Sequence, residues 1–254
     1  MMNNRAGADH GNSVGMAPAL VLESVSKVIG NTPILRDLSL TLPCDGNVLL
    51  LGANGAGKST LLRICAGLMR PERGQVSVLE SDGRKRKLLA AETGYMGHHS
   101  MLYGELSVGE NLELAATLAG LPALSVEDSL ATWELEKFRG KKPAELSKGL
   151  LARVALCRSF LHRPRFLFLD EPSAALDNRS TEMLIRELTA LRAAHQGKFL
   201  LVLATHDLNR LQSLADRVVI LGSGGLLHDS AVVTPDTALA AVSQSITIYL
   251  EHNR

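Results

Sequence analysis

Aromatic residues are scarce in this sequence: they make up 4% of its 254 residues, and no Phe, Trp or Tyr precedes Tyr95. The chain before that point offers no aromatic platform for a flat ligand. Cysteine is scarcer still. Cys44, Cys65 and Cys157 stand apart among apolar neighbours with no CxxC pair, which argues against a disulfide framework or a thiolate metal site and reads as reduced core thiols. A surplus of charge is missing as well. Lys plus Arg number 27 and Asp plus Glu 26, a net +1, so no global basic field points to nucleic acid as a partner. No stretch approaches the roughly 18 uninterrupted apolar residues of a membrane span; Phe199–Thr205 and Arg217–Leu227 are strand-length or broken by glycine. Met1–Met16 lacks a continuous apolar segment and is rich in Asn and Gly. Residues 1–18 therefore read as a disordered tail, not a leader. These absences leave a soluble chain, and any membrane role runs through a partner.

What is present is an ordinary core-forming composition, 46% hydrophobic with 21% charged residues, and a regular order of elements. Leu20–Val25, Ile34–Leu42, Val48–Leu51 and Val76–Leu79 read as strands, with a helix from Lys58 to about Ala66 closed by Gly67. The basic run Arg84–Lys87 reads as a solvated hairpin or loop. Ser107-x-x-Glu110 is a capping box for a helix over Asn111–Ala119, halted by Gly120 and Pro122. Further helix is expected over Val126–Phe138 and Lys148–Leu161, stopped at Arg163-Pro164. A helical insert of about Gly97–Arg163 thus interrupts the pattern. Strands resume at Phe166–Leu169, Leu200–Ala204 and Val218–Leu221, with an amphipathic helix over Arg179–Ala194. Gly224-Gly225 suggests a last hairpin and Thr237–Leu250 a closing helix. Alternating strands and helices predict an α/β fold with a mostly parallel sheet.

The chemistry concentrates in a few places. Gly52-Ala53-Asn54-Gly55-Ala56-Gly57-Lys58-Ser59 matches GxxxxGK[ST], directly after a strand and directly before a helix. Glycines let the backbone wrap a phosphate while successive N–H groups and the helix N-terminus point at it. Lys58 then reaches the β- and γ-phosphates, and Ser59 holds Mg²⁺. Arg165–Glu171 is an apolar strand ending in two carboxylates. Side chains alternate along a strand, so the two take different tasks: Asp170 serves the metal and Glu171 the attacking water as general base. Ser147, in Leu146-Ser147-Lys148-Gly149-Leu150, is placed to cap a helix; Asp177 follows the acidic strand, and His206 follows Leu200–Ala204.

In this order and spacing, over about Leu20–Leu227, these elements resemble the nucleotide-binding domain of ABC ATPases. The resemblance implies a P-loop NTPase core with an antiparallel N-terminal β subdomain and a helical lobe over about 97–163. The domain then runs over 19–230, with a helical extension at 231–254. It implies a head-to-tail dimer, with a second copy or a homologous ATPase subunit, enclosing two ATP molecules. Gly52 to Ser59 and Thr60 resemble the Walker A segment, and Asp170 and Glu171 the Walker B metal residue and catalytic glutamate. Ser147 and Gly149 resemble the signature that contacts the partner's ATP, Asp177 the D-loop and His206 the γ-phosphate switch. Catalysis would fall to Glu171, His206 and Lys58. Transmembrane permease subunits are the implied partners, at the cytoplasmic face of the inner (plasma) membrane.

Three departures bear on turnover and base reading. The family's LSGGQ is here LSKGL, the Q-loop position holds His98, and the adenine-stacking position before Gly30 is Ile29. Tyr95–His99, Leu102-Tyr103 and Glu110-Asn111-Leu112 resemble the haem-exporter ATPase of cytochrome c maturation, and also drug or polysaccharide exporters. A soluble ABC ATPase of translation or DNA repair would need a second domain or a long coiled coil. A non-hydrolysing regulatory subunit fits poorly with intact Lys58, Asp170, Glu171 and His206. Met101, Leu102 and Tyr103 form the apolar cluster at which a membrane subunit is expected to dock.

Overall fold

The computed structural model describes residues 17–97, 100–205, 215–230, 247 and 251. Two sheets carry the fold. The first is antiparallel: β1 (Ala19–Ile29), β2 (Thr32–Pro43), β4 (Arg73–Leu79) and β5 (Lys85–Arg86) lie in the order β2-β1-β4-β5. The second contains β3 (Gly46–Gly52), β6 (Thr93–Met96), β7 (Phe166–Asp170), β8 (Leu200–Ala204), β9 (Arg217–Gly222) and β10 (Gly225–Asp229). Its order is β10-β9-β3-β8-β7-β6, parallel throughout except for the β10 edge. The expected α/β architecture with an antiparallel N-terminal subdomain is what forms.

Period-two alternation divides the core. Val48, Leu50, Phe166 and Phe168 face the antiparallel sheet and helix α1 (Lys58–Cys65), while Leu49, Leu51, Leu167 and Leu169 face the other side. On that other side the helical lobe packs, through α2 (Val108–Leu118), α3 (Leu124–Thr132) and α4 (Lys148–Phe160), together with α5 (Asn178–Ala194), which follows β7. Trp133 and Phe160 meet edge to face at 5.4 Å in its middle. One apolar cluster therefore runs from the sheet into the lobe without a break.

Several local expectations need correction. The capping box at Ser107 and Glu110 forms, but α2 starts at Val108 rather than Asn111, because the residue after the cap is already helical. The helix expected over Val126–Phe138 stops at Thr132. Glu134 takes a left-handed φ of 52°, and the Glu134 and Leu135 N–H groups close back on Ala131 and Leu130. A glutamate fills this glycine-like position while its carboxylate pairs with Arg179 at 2.5 Å. The basic run is not merely solvated: Arg86 pairs with Glu80 and with both oxygens of Glu92. Strand β6 was not expected, being four residues long with a glycine in it. Met1–Met16 of the proposed tail and most of Thr237–Leu250 lie outside the described residues, while Pro18, placed in that tail, accepts a hydrogen bond from the Cys44 N–H at 2.8 Å.

Candidate nucleotide site

Strand β3 delivers the glycine loop to the carboxyl edge of the parallel sheet, and α1 leaves from it. Gly57 stands before the helix at φ 99°, and a Cβ there would lie 2.7 Å from Leu35 Cδ2 and 3.0 Å from the Ile34 carbonyl oxygen. Only glycine fits both the angle and the space. The N-terminus of α1 has no side-chain cap and no acidic residue in its first turn. Its N–H groups therefore stay available to an anion. Residues Asn54 to Thr60 line a cavity of about 290 Å³ together with Ile34, Asp170 and Glu171. Gly52 and Ala53 lie behind it, where their carbonyls accept hydrogen bonds from Lys58 Nζ at 2.6 and 3.2 Å. Burial pushes the Lys58 ammonium below its ordinary range, and the charges of Glu171 and Asp170 oppose that shift.

Asp170 is the last residue of β7 and is 2% exposed. Its Oδ2 is buried with no hydrogen-bond partner. A buried carboxylate oxygen left bare is costly unless a cation comes to it. Oxygen ligands of this kind suit Mg²⁺, and Ser59 lines the same cavity, so the residues present fit that ion. Glu171 does not continue the strand. It turns to a φ of 55°, with its N–H donating to the Ala204 carbonyl at 2.8 Å. A left-handed non-glycine residue costs roughly 1–3 kcal/mol and is characteristic of functional turns. The two carboxylates are thus set apart by a backbone turn, not by strand alternation alone. Both also border a second cavity of about 270 Å³ whose wall includes Gly97, Ser100 and Lys148.

The remaining expected site residues lie apart from this cavity. Ser147 caps α4, its Oγ accepting from the Leu150 N–H at 3.3 Å. Gly149 packs against the loop after β7, where a Cβ would come 3.1 Å from the Ala175 carbonyl oxygen. Asp177 caps α5 by accepting from the Ser180 N–H at 2.7 Å, and hydrogen bonding by Ser180 holds its carboxyl below the usual range. Ser147 and Asp177 are exposed. Ile29 is 47% exposed at the tip of the β1–β2 hairpin and does not line the phosphate cavity. His98 and His206 lie outside the described residues. Of the apolar cluster, Met101 and Tyr103 are exposed, but Leu102 packs against the lobe's core. Sequence reasoning missed Ile34 as a cavity wall and Tyr95 as a scaffold. The Tyr95 hydroxyl accepts from Arg63 Nε at 3.3 Å and lies against Gly97. The lone aromatic beside that glycine was the only available signal.

A backbone-built phosphate cradle between strand and helix, faced by a buried carboxylate at the carboxyl edge of a parallel sheet, defines a P-loop nucleotide-binding domain. The chain belongs to the ABC transporter family: the family model described as ABC transporter matches residues 35–174. It is similar to the probable sulfate/thiosulfate import ATP-binding protein CysA of Chlorella vulgaris. The two are 34% identical over 83% of this chain and 90% of that protein. The spermidine/putrescine import ATP-binding protein PotA of Bacillus thuringiensis (strain Al Hakam) is 33% identical over 87% of this chain and 67% of its own length. The chain spans less of the CysA protein of Synechocystis sp. (strain ATCC 27184 / PCC 6803 / Kazusa), 59% of its length at 34% identity. Among solved structures, an ATP-binding subunit of an ABC transporter superposes with a TM-score of 0.77 at 27% identity, covering 93% of this chain and all of that one. A dimeric ATP-binding cassette in a post-hydrolysis state with ADP and phosphate gives a TM-score of 0.72 at 26% identity, covering 83% and 97%. The chain is an ABC ATPase domain. Among the described residues no helix is long and apolar enough to cross a membrane.

Proposed function

We propose that the chain is the ATP-hydrolysing subunit of an ABC transporter and acts as half of a head-to-tail dimer that powers separate membrane subunits. The observation that carries this reading is the bare Oδ2 of Asp170 in the same cavity as Lys58 and the uncapped start of α1. The loop N–H groups and Lys58 bind the β- and γ-phosphates of ATP, Lys58 leaving its own loop carbonyls to do so. Ser59 and Asp170 hold Mg²⁺, which when bound neutralises charge on the phosphates. Glu171 takes a proton from the attacking water at its carboxylate. His206 senses the γ-phosphate, and His98 stands at the Q-loop position. Ser147, Gly149 and Asp177 serve the nucleotide held by the second copy, which accounts for their distance from the cavity of their own chain.

Export is the direction suggested by residues 95–112, with haem for cytochrome c maturation as the cargo they resemble most. Import is the second reading, favoured by the relatives named above, whose names specify import. Transport into and out of vesicles bearing the membrane subunits separates the two. The ATPase reading is tested by Glu171→Gln, which keeps volume while removing the base and one negative charge. Hydrolysis should fall by about 10²–10⁴-fold, and ATP should trap a dimer on size-exclusion chromatography. A variant that stays monomeric and hydrolyses at the wild-type rate rejects the assignment.

A further inference from the structure

Three helices meet at one carboxylate near the exposed starts of α4 and α5. Glu134 lies just past the end of α3 with a φ of 52°. The N–H groups of Leu135 and Glu134 close back on the Leu130 and Ala131 carbonyls at 2.8 and 3.1 Å. A helix ordinarily ends on glycine at this position. Trp133 and Leu135, on either side, are fully buried, so the backbone that aims Glu134 is fixed. The carboxylate then receives cations from two different helices. Arg179, in the first turn of α5, meets Oε1 at 2.5 Å, and Arg153 of α4 approaches Oε2 at 4.0 Å. The Arg179 side chain is 70% exposed, and an exposed ion pair adds little to stability. A left-handed glutamate works against the fold, and such outliers gather at functional sites. Arg153 is only 13% exposed, its Nε is buried without a hydrogen-bond partner, and Glu134 is its one ion-pair partner among the described residues. Hydrogen bonding by Arg179 holds the Glu134 carboxyl below its usual range, so the group is charged at neutral pH.

We propose that Glu134 is a positioning residue for ATP hydrolysis: its carboxylate ties α4 to α5 and so holds Ser147 and Gly149 in register with Asp177. The proposal rests on the dimer reading above. Gly149 stands one turn before Arg153 on the same face of α4, against the Ala175 carbonyl. Asp177 caps α5 two residues before Arg179. The two guanidiniums bound to Glu134 therefore sit directly behind the residues offered to the second copy. Held as one body, those residues lose less freedom on association than two independent helix ends would.

The first test is Glu134→Gly in the full chain, which removes the carboxylate and relieves the left-handed backbone together. Tm should stay within about 2 °C of wild type or rise, and ATP binding to the isolated chain should not change. Hydrolysis should fall about tenfold in kcat with KM for ATP unchanged. A variant that hydrolyses at the wild-type rate rejects the proposal. A Tm several degrees lower, or ATP binding lost along with hydrolysis, would make Glu134 a support of the fold alone and also overturns it. Glu134→Gln keeps the strained backbone and removes only the charge, so kcat should fall equally while Tm drops. Arg179→Gln should lower kcat too, and combining it with Glu134→Gln should cost no more than the worse single change. Losses that multiply in the double variant mean that the two residues act separately and reject the tie. Assembly is read in the Glu171→Gln background, where adding Glu134→Gly should raise the protein concentration needed for the ATP-trapped dimer about tenfold. Trapping by Glu171→Gln with no shift on adding Glu134→Gly rejects the proposal and leaves the dimer reading standing. If Glu171→Gln alone traps nothing, the dimer reading fails and the proposal falls with it.

Discussion

Helices α1 and α4 both begin where a nucleotide phosphate is expected, yet the two starts are built differently. Gly57 introduces α1 in a left-handed conformation with no side-chain cap, so the first N–H groups face a cavity that Asp170 and Glu171 close. Ser147 introduces α4 and satisfies the Leu150 N–H with its own Oγ, on an exposed surface. The first is a half-site completed inside one chain. The second is a helix end already at rest, useful to a nucleotide only when another molecule brings one. A change at the first end should disturb folding and binding together. A change at the second should leave the isolated chain nearly intact and stop the assembled one.

Gly57→Ala puts the largest strain on this comparison. The φ of 99° and the 2.7 Å approach to Leu35 both oppose a Cβ. The expected loss is about 2–5 kcal/mol, from backbone strain plus overpacking, together with loss of ATP binding. Gly55→Ala is the control: its φ is 83°, but nothing lies within 4 Å of the added Cβ. It should cost only about 1–2 kcal/mol. Denaturant titration of the two variants measures both, and equal losses would show that close packing around Gly57 is not what holds the loop.

Ile29→Tyr tests the nucleotide end from the base side. At the expected adenine position Ile29 would offer apolar contact but no π-face, so affinity should depend on the triphosphate and discriminate little between ATP and GTP. A tyrosine should tighten ATP binding by roughly ten- to hundredfold, the worth of about 1–3 kcal/mol of stacking. The metal requirement should not change. Calorimetry that finds a hundredfold ATP preference in the wild type, or no gain in the variant, would mean that another group reads the base.

Ser147→Ala and Asp177→Ala probe the outward-facing end. Each removes a helix cap and should cost about 1 kcal/mol, lowering Tm by roughly 2–4 °C. ATP binding to the isolated chain should persist while hydrolysis by the dimer falls. Ser147→Gly separates the two roles, since glycine caps nearly as well. Recovery of both Tm and hydrolysis in that variant would reduce Ser147 to a cap.

The smallest expected effect is a pH slope from the far side of the lobe. Burial holds the His162 imidazole below its ordinary range. A base with a depressed folded pKa contributes stability above its unfolded value, about 6.5. That contribution is lost as pH falls through the folded pKa. Thermal melts from pH 7.5 down to 5 should show the decline, and His162→Gln should flatten it. An unchanged slope would place the responsible proton elsewhere.

The phosphate loop, the acidic strand end and the caps at Ser107 and Ser147 were legible in the sequence because each is a short-range pattern, whereas the cap that Asp177 gives α5 came only from the structure. Glycine, lysine and serine at fixed spacing force one local backbone, and a polar residue before an apolar period caps a helix wherever that helix ends up. Strand β6 was not legible, because its four residues become a strand only through the ladder offered by β7. Nor was the pairing of Arg86 with Glu80 and Glu92, or the ending of α3 at a left-handed Glu134 held by Arg179. Sequence by itself determined that the chain carries a nucleotide cradle on an α/β scaffold. Tertiary structure decided that Asp170 Oδ2 is buried bare and that Glu171 turns out of the strand. It also decided that Leu102 goes inward and that Glu134 meets both Arg153 and Arg179. Burial and the lack of a partner depend on what distant segments bring alongside, and no local spacing records that.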